Sequence, residues 1–233
     1  MTLTVETASM SERAATLAPE AFDGDRPLHY WAGLWRREGP AGLQPADAAR
    51  AVRAAFNEHR TWSLAPLAER TARVTAALGD LDARRDLLAH LLAEETGTAV
   101  TAATAAVDRC LGGVRGQLAG IGQAVAGRVP LRGPVSNIPA RDCPAPVLVR
   151  AALVQALAGN AAIVKAPEAG GVRFLALAVA LAGPHGLPLT LVAGGPAVDD
   201  ALGRLDVVGC VSHPVDAERG AALVRAVTRR APG

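Results

Sequence analysis

From residue 135 onward the sequence alternates short apolar runs with longer helical patterns, and this alternation limits the possible fold more than any other feature. The runs 135–138, 161–165, 189–193 and 207–211 are four or five residues long and mostly punctuated by Gly, Pro or Asn. Runs of that kind read as strands buried on both faces. Between and after them, residues 144–158, 171–182, 196–202 and 217–229 carry helical spacing, with Pro144 and Pro146 acceptable in a first turn. Alternation at this spacing predicts an α/β fold with a doubly wound, mostly parallel sheet, whose strand C-termini share one edge.

The residues before this region read differently. Helical patterns over 46–59, 64–78, 82–96 and 99–125 predict a run of antiparallel helices, with a break at Gly79-Asp80 and a C-cap at Gly97. Residues 1–45 are rich in Pro and Gly and read as an extended arm. Trp31 and Trp35, four apart, are expected on one face of a short helix docked on the body. The expected organisation is an arm at 1–45, a helical segment at 46–125 and the sheet region at 126–233, the last two forming one domain.

Composition narrows the function. A chain of 233 residues, 50% apolar and 20% charged, can bury one substantial core. Its formal charge of +2, with arginines scattered among acids and 3% aromatics, argues against nucleic acid as a partner. The three cysteines are far apart in sequence and no apolar leader opens the chain, so a reduced, cytoplasmic protein is expected. Apolar runs such as 174–182 are too short to span a bilayer, so no membrane is expected. Cys210 and His213 have a metal-like spacing without a second pair of ligands, and no metal site is predicted.

The chemistry gathers in Ala158-Gly159-Asn160-Ala161-Ala162-Ile163-Val164-Lys165-Ala166-Pro167-Glu168. Lys165 is the single lysine among the 24 Lys and Arg residues, and it falls where a strand ends. An ammonium and a carboxylate three residues apart at that edge can grip vicinal hydroxyls. The plainer alternative is a solvated surface pair, contributing at most about 1 kcal/mol.

That segment resembles the aldehyde dehydrogenase superfamily. So do Leu92-Ala93-Glu94-Glu95-Thr96-Gly97, Gly133-Pro134-Val135 leading to Pro144, and His185-Gly186-Leu187-Pro188 before a strand and Gly194. The likeness runs in order over most of 45–230 and covers the family's N-terminal half. It implies a Rossmann-like dinucleotide-binding region, with Ile138, Pro139, Lys165, Glu168 and Gly194 lining a cofactor. Lys165 and Glu168 would hold the adenosine ribose. An acid near the 2′-oxygen disfavours a 2′-phosphate, so NAD is expected over NADP.

Three departures bear on activity. Where the resemblance implies an asparagine donor to an oxyanion, the chain reads Ala140-Arg141-Asp142-Cys143-Pro144, and an ionised Asp142 only accepts. Where it implies Thr-Gly-Ser after the fourth strand, the chain has Ser212-His213-Pro214, a rigid turn in its plainest reading. The family's Gly-Gln-x-Cys and Glu-Leu-Gly-Gly motifs do not occur in this sequence. Cys143 is the one thiol placed at a helix start, where a thiolate is favoured. Three readings follow: a truncated, non-catalytic binding or assembly subunit, existing as a homo-oligomer or with a partner chain; the NAD-binding half of a split enzyme completed by a separate catalytic chain; or new chemistry at Arg141, Asp142, Cys143 and His213.

Overall fold

The computed structural model describes residues 9–37, 43–203, 206–214, 224 and 226–231. Five short strands come first along the chain: β1 (Phe22–Asp23), β2 (Arg26–Pro27), β3 (His29–Trp31), β4 (Leu34–Arg36) and β5 (Arg128–Pro130). The parallel strands follow, β6 (Val135–Asn137), β7 (Ala162–Lys165), β8 (Leu189–Val192) and β9 (Cys210–Ser212), and they form the centre of the molecule. The six-stranded order is β4-β3-β8-β7-β6-β9, with β3 antiparallel to both β8 and β4. The α/β, mostly parallel architecture read from the sequence is therefore the one observed.

Helices cover both faces, as the alternation requires. On one face α6 (Ala145–Leu157) and α7 (Val172–Ala182) pack with Ala162, Val164, Leu189 and Leu191 in the main core. On the other, α2 (Pro45–Trp62) and α8 (Pro196–Gly203) bury Ile163 and Val192 with Ala48, Ala51, Val52, Val198 and Leu202. Period-two alternation along β7 and β8 sends successive residues to the two cores. The remaining helices, α1 (Met10–Leu17), α3 (Leu67–Ala83), α4 (Arg85–Thr96) and α5 (Val100–Ala124), extend the main core outward.

Several expectations shift. Trp31 and Trp35 lie on β3 and β4, not on one helix: Ala32 and Gly33, at φ 52° and 70°, make the tight turn of a hairpin. Tyr30 faces Trp35 across that hairpin and pairs with Leu191, so these residues build the sheet's edge. The break expected at Gly79-Asp80 falls at Arg84, because Val74, Leu78 and Leu81 continue one buried stripe through the glycine. Gly97 ends α4 at φ 68°, as expected. Strand β9 begins three residues later than expected. Residues 217–223 and 225 of the expected last helix lie outside the described residues, and its end is instead β10 (Thr228–Arg230), paired antiparallel with β5. Main-chain pairing with β5 decides that segment over its helical spacing.

Side chains from the helical segment satisfy the backbone of the crossings. Trp62 Nε1 donates to Ala156 O at 2.8 Å and Arg70 Nη1 to Leu157 O at 3.1 Å. Asn160, fully buried, accepts from Leu131 N–H at 2.9 Å and donates to Val227 O at 2.8 Å. His59 Nδ1 accepts from Ala161 N–H at 3.2 Å, so its Nε2 carries the proton and donates to Leu131 O at 3.0 Å. Both nitrogens are committed to the neutral ring, and burial lowers the pKa below its ordinary 6.5. Beside it on α2, Glu58 is shifted the other way, its carboxyl pushed up by burial to about 7.

These two shifts give opposite pH dependences. The His59 contribution is present above about pH 6.5 and is lost as pH falls through the lowered folded value. The Glu58 contribution is present below about pH 4.5 and is lost as pH rises through about 7. Glu58→Gln is therefore expected to match the wild type near pH 4.5 and exceed it at pH 8 by roughly 1–2 kcal/mol, allowing for the side chain's partial solvent contact. Urea denaturation at both pH values measures the difference, and equal stabilities at pH 8 would refute it.

Candidate ligand site at the strand ends

The C-termini of β6, β7, β8 and β9 meet at one edge, where open α/β sheets bind ligands. Close packing where the two strands begin sets β9 beside β6. A side chain at Gly133 would collide with Val207 O and one at Gly209 with Gly133, while Gly209 N–H donates to Pro134 O at 2.8 Å. Only glycine admits two backbones so near each other.

Lys165 closes β7 and is 3% exposed. Its position two residues after Ile163 puts it on the α2/α8 face. A buried ammonium needs a countercharge. Asp199, in the first turn of α8, supplies it: Oδ1 lies 2.9 Å from Nζ, and Oδ2 accepts a hydrogen bond at 3.1 Å. Oδ1 is off the donor direction and accepts no directional hydrogen bond. Glu168 stands farther off, at 3.7 Å, with a half-exposed side chain. Lys165 and Glu168 are thus brought together as expected. Asp199 is the residue that sequence reasoning missed. Its signal was an acid in the first turn of an expected helix starting at the same sheet edge, near Gly194.

Gly194 follows β8. A Cβ there would lie 2.5 Å from Val198 Cγ2, so the glycine lets α8 pack close to the strand end. Ile138 and Pro139 follow β6 and are half-buried. The Ile138 backbone is taken up internally: its N–H donates to Ser212 O at 2.9 Å and its carbonyl accepts from His213 Nδ1 at 3.0 Å. His213 is therefore held as part of the turn, with Nδ1 carrying the proton.

Arg141 and Asp142 are exposed in the following turn, and no ion pair joins them among the described residues. Cys143 is buried at 5% exposure, its Sγ 3.9 Å from Pro144 O. Burial, with the Asp142 charge adding to it, pushes its thiol up to about 11. Burial likewise pushes Cys110 up to about 12 and raises Cys210. The helix start at Cys143 is outweighed by loss of water. Among the described residues no hydrogen bond joins Arg141, Asp142, Cys143 and His213 to one another. Among the described residues no cluster of three or more His, Cys, Asp or Glu forms a metal site, and no helix is long and apolar enough to cross a membrane.

The strand-end loop is held from beneath by two buried amides. Asn137, the last residue of β6, donates to Gln155 Oε1 at 2.8 Å and to Ile163 O at 2.9 Å, and Gln155 Nε2 returns a bond to Asn137 Oδ1 at 2.7 Å. Both are fully buried.

A mostly parallel sheet with this order and helices on both faces defines a doubly wound, Rossmann-like fold. The particular family follows from comparison: a model of the aldehyde dehydrogenase family matches residues 40–230, and the chain belongs to that family. A search of curated proteins finds no match. Among solved structures, the chain is similar to the Δ-pyrroline-5-carboxylate dehydrogenase of Mycobacterium tuberculosis, with 23% identity and a TM-score of 0.70, covering 88% of this chain and 44% of that one. It is also similar to an NAD-dependent benzaldehyde dehydrogenase of Corynebacterium glutamicum, with 17% identity, a TM-score of 0.70 and coverages of 80% and 48%. A third is the succinate-semialdehyde dehydrogenase of Burkholderia pseudomallei, with 21% identity, a TM-score of 0.67 and coverages of 81% and 46%. At these identities the likeness carries the fold, and the chain spans less than half the length of these three relatives.

The buried Lys165 ammonium at this edge is already paired with Asp199, so an anionic ligand would have to compete with that carboxylate for it.

The amide pair makes a separable prediction. Asn137→Leu or Gln155→Leu alone leaves the other amide buried without its partner and should cost about 1–3 kcal/mol. The double variant should cost clearly less than the sum of the two. Thermal denaturation of the four proteins measures this, and strict additivity would contradict the reciprocal bond.

Proposed function

We propose that this chain is a non-catalytic binding or assembly subunit built on the cofactor-domain fold of aldehyde dehydrogenases, acting as a homo-oligomer or with a partner chain. The observation that carries this reading is the state of the strand-end edge. Its thiol is buried with a pKa raised to about 11, its carboxylate Asp142 stands in solvent, and its lysine is engaged by an acid of the same chain. A nucleophile needs a thiolate population near neutral pH, and an oxyanion needs donors. Neither is provided by these groups.

A second reading, the NAD-binding half of a split oxidoreductase acting on an aldehyde, draws on one observation. Lys165 and Glu168 do meet at the end of β7. On that reading a separate chain brings the cysteine and glutamate, NAD is preferred to NADP, and the wild-type chain binds NAD unaided.

The purified protein mixed with NAD and an aliphatic or aromatic aldehyde is expected to give no hydride transfer above background, followed by absorbance of the reduced nicotinamide. Cys143→Ser is expected to change nothing. NAD-dependent oxidation that disappears in Cys143→Ser would overturn the non-catalytic reading. Light scattering after size exclusion tests assembly, and a monomer that retains no partner on pull-down counts against it.

A further inference from the structure

The strand-end edge holds two features that attract anions. One is the Lys165 ammonium, 3% exposed. The other is the start of α8, where the helix dipole places partial positive charge. In most proteins of this architecture such an edge is left open for a ligand. Here one side chain meets both. Asp199 lies in the first turn of α8 and contacts Lys165 through both carboxylate oxygens, at 2.9 and 3.1 Å. Glu168 adds a second carboxylate 3.7 Å from the same ammonium. The positive charge is thereby exceeded by two negative ones within ion-pair distance.

We propose that Asp199 acts as an internal stand-in for a ligand, holding Lys165 and closing the strand-end edge to phosphate-bearing molecules, dinucleotides included. The exclusion is electrostatic. A phosphate brought to the α8 terminus or to Lys165 meets the Asp199 and Glu168 carboxylates at short range, in a setting screened less than bulk water. Binding therefore requires Asp199 to leave an ammonium that is buried beside it, and the free energy of that exchange is subtracted from any affinity. Gly194 contributes by geometry. With no side chain there, α8 sits close to the end of β8, which sets Asp199 within reach of Lys165.

Asp199 thus acts as a specificity-determining residue by exclusion. The idea goes beyond the non-catalytic reading and does not depend on it, because it concerns only which ligands the edge admits.

The test is calorimetric titration of NAD into the wild type, Asp199→Ala, Asp199→Asn and the double variant Asp199→Ala/Lys165→Met. The wild type is expected to bind weakly, with Kd above about 1 mM. Asp199→Ala should bind at least about tenfold more tightly, and Asp199→Asn, which keeps an acceptor for Lys165 but removes the charge, should fall between them. The double variant should lose the gain. If Asp199→Ala does not fold, as judged by far-ultraviolet circular dichroism, Asp199→Asn carries the comparison. Wild-type binding as tight as that of the Asp199 variants would overturn the proposal and favour the split-enzyme reading. Folded Asp199 variants that bind no better than a non-binding wild type would overturn it while leaving the non-catalytic reading standing. A gain that survives loss of Lys165 would also overturn it.

Discussion

A parallel sheet covered on both faces leaves the backbone at its crossings cut off from water, and the structure rests on how those groups are satisfied. Asn160 and His59 do this at the crossing into β7, together bonding Leu131, Ala161 and Val227 main-chain groups. Trp62 and Arg70 do the same for the last turn of α6. Each of these side chains except Asn160 comes from α2 or α3. The helical segment is therefore more than a cover for the sheet: it supplies hydrogen-bond partners that the crossings lack. A backbone group buried without such a partner costs about 1–3 kcal/mol, so the helices before the sheet contribute directly to its stability.

The same constraint acts at the opposite end of β7 with a charge in place of an amide. Burying Lys165 demands a counterion, and the chain provides Asp199 from α8 and Glu168 from the following turn. The pairing makes the strand end self-sufficient. An edge that in this architecture offers positive charge to a ligand presents instead a neutralised lysine and surplus acid. Descent within a cofactor-binding family and the present chemistry of the edge are separate matters.

Most of the architecture was legible in the sequence because it depends on local pattern. The strands at 135–138, 161–165 and 189–193 show as short apolar runs between Gly, Asn and Pro, and the helix stop at Gly97 shows as a residue suited to positive φ. The N-terminal hairpin was not legible. Trp31 and Trp35 have the spacing of one helical face, whereas the hairpin pairing of β3 with β4 and the pairing of Tyr30 with Leu191, far along the chain, make those residues strands. Strand β10 was hidden in the same way by helical spacing, since its pairing partner β5 lies on the other side of the whole parallel region in sequence.

For the site, sequence alone determined that a single lysine ends the second parallel strand with an acid three residues on, and that the Arg141-Asp142-Cys143 turn lacks an oxyanion donor of the implied type. It determined this because residue identity and strand position are local properties. Tertiary structure alone decided that Asp199 reaches Lys165, that His213 is tied to Ile138, and that Cys143 is buried with its thiol held protonated. Those outcomes depend on how α8 and β9 pack beside β7 and β6, close at Gly194 after β8 and at Gly133 and Gly209 where β6 and β9 begin. Charge and proton affinity follow burial and neighbours, and neighbours far apart in sequence are assigned only when the chain folds.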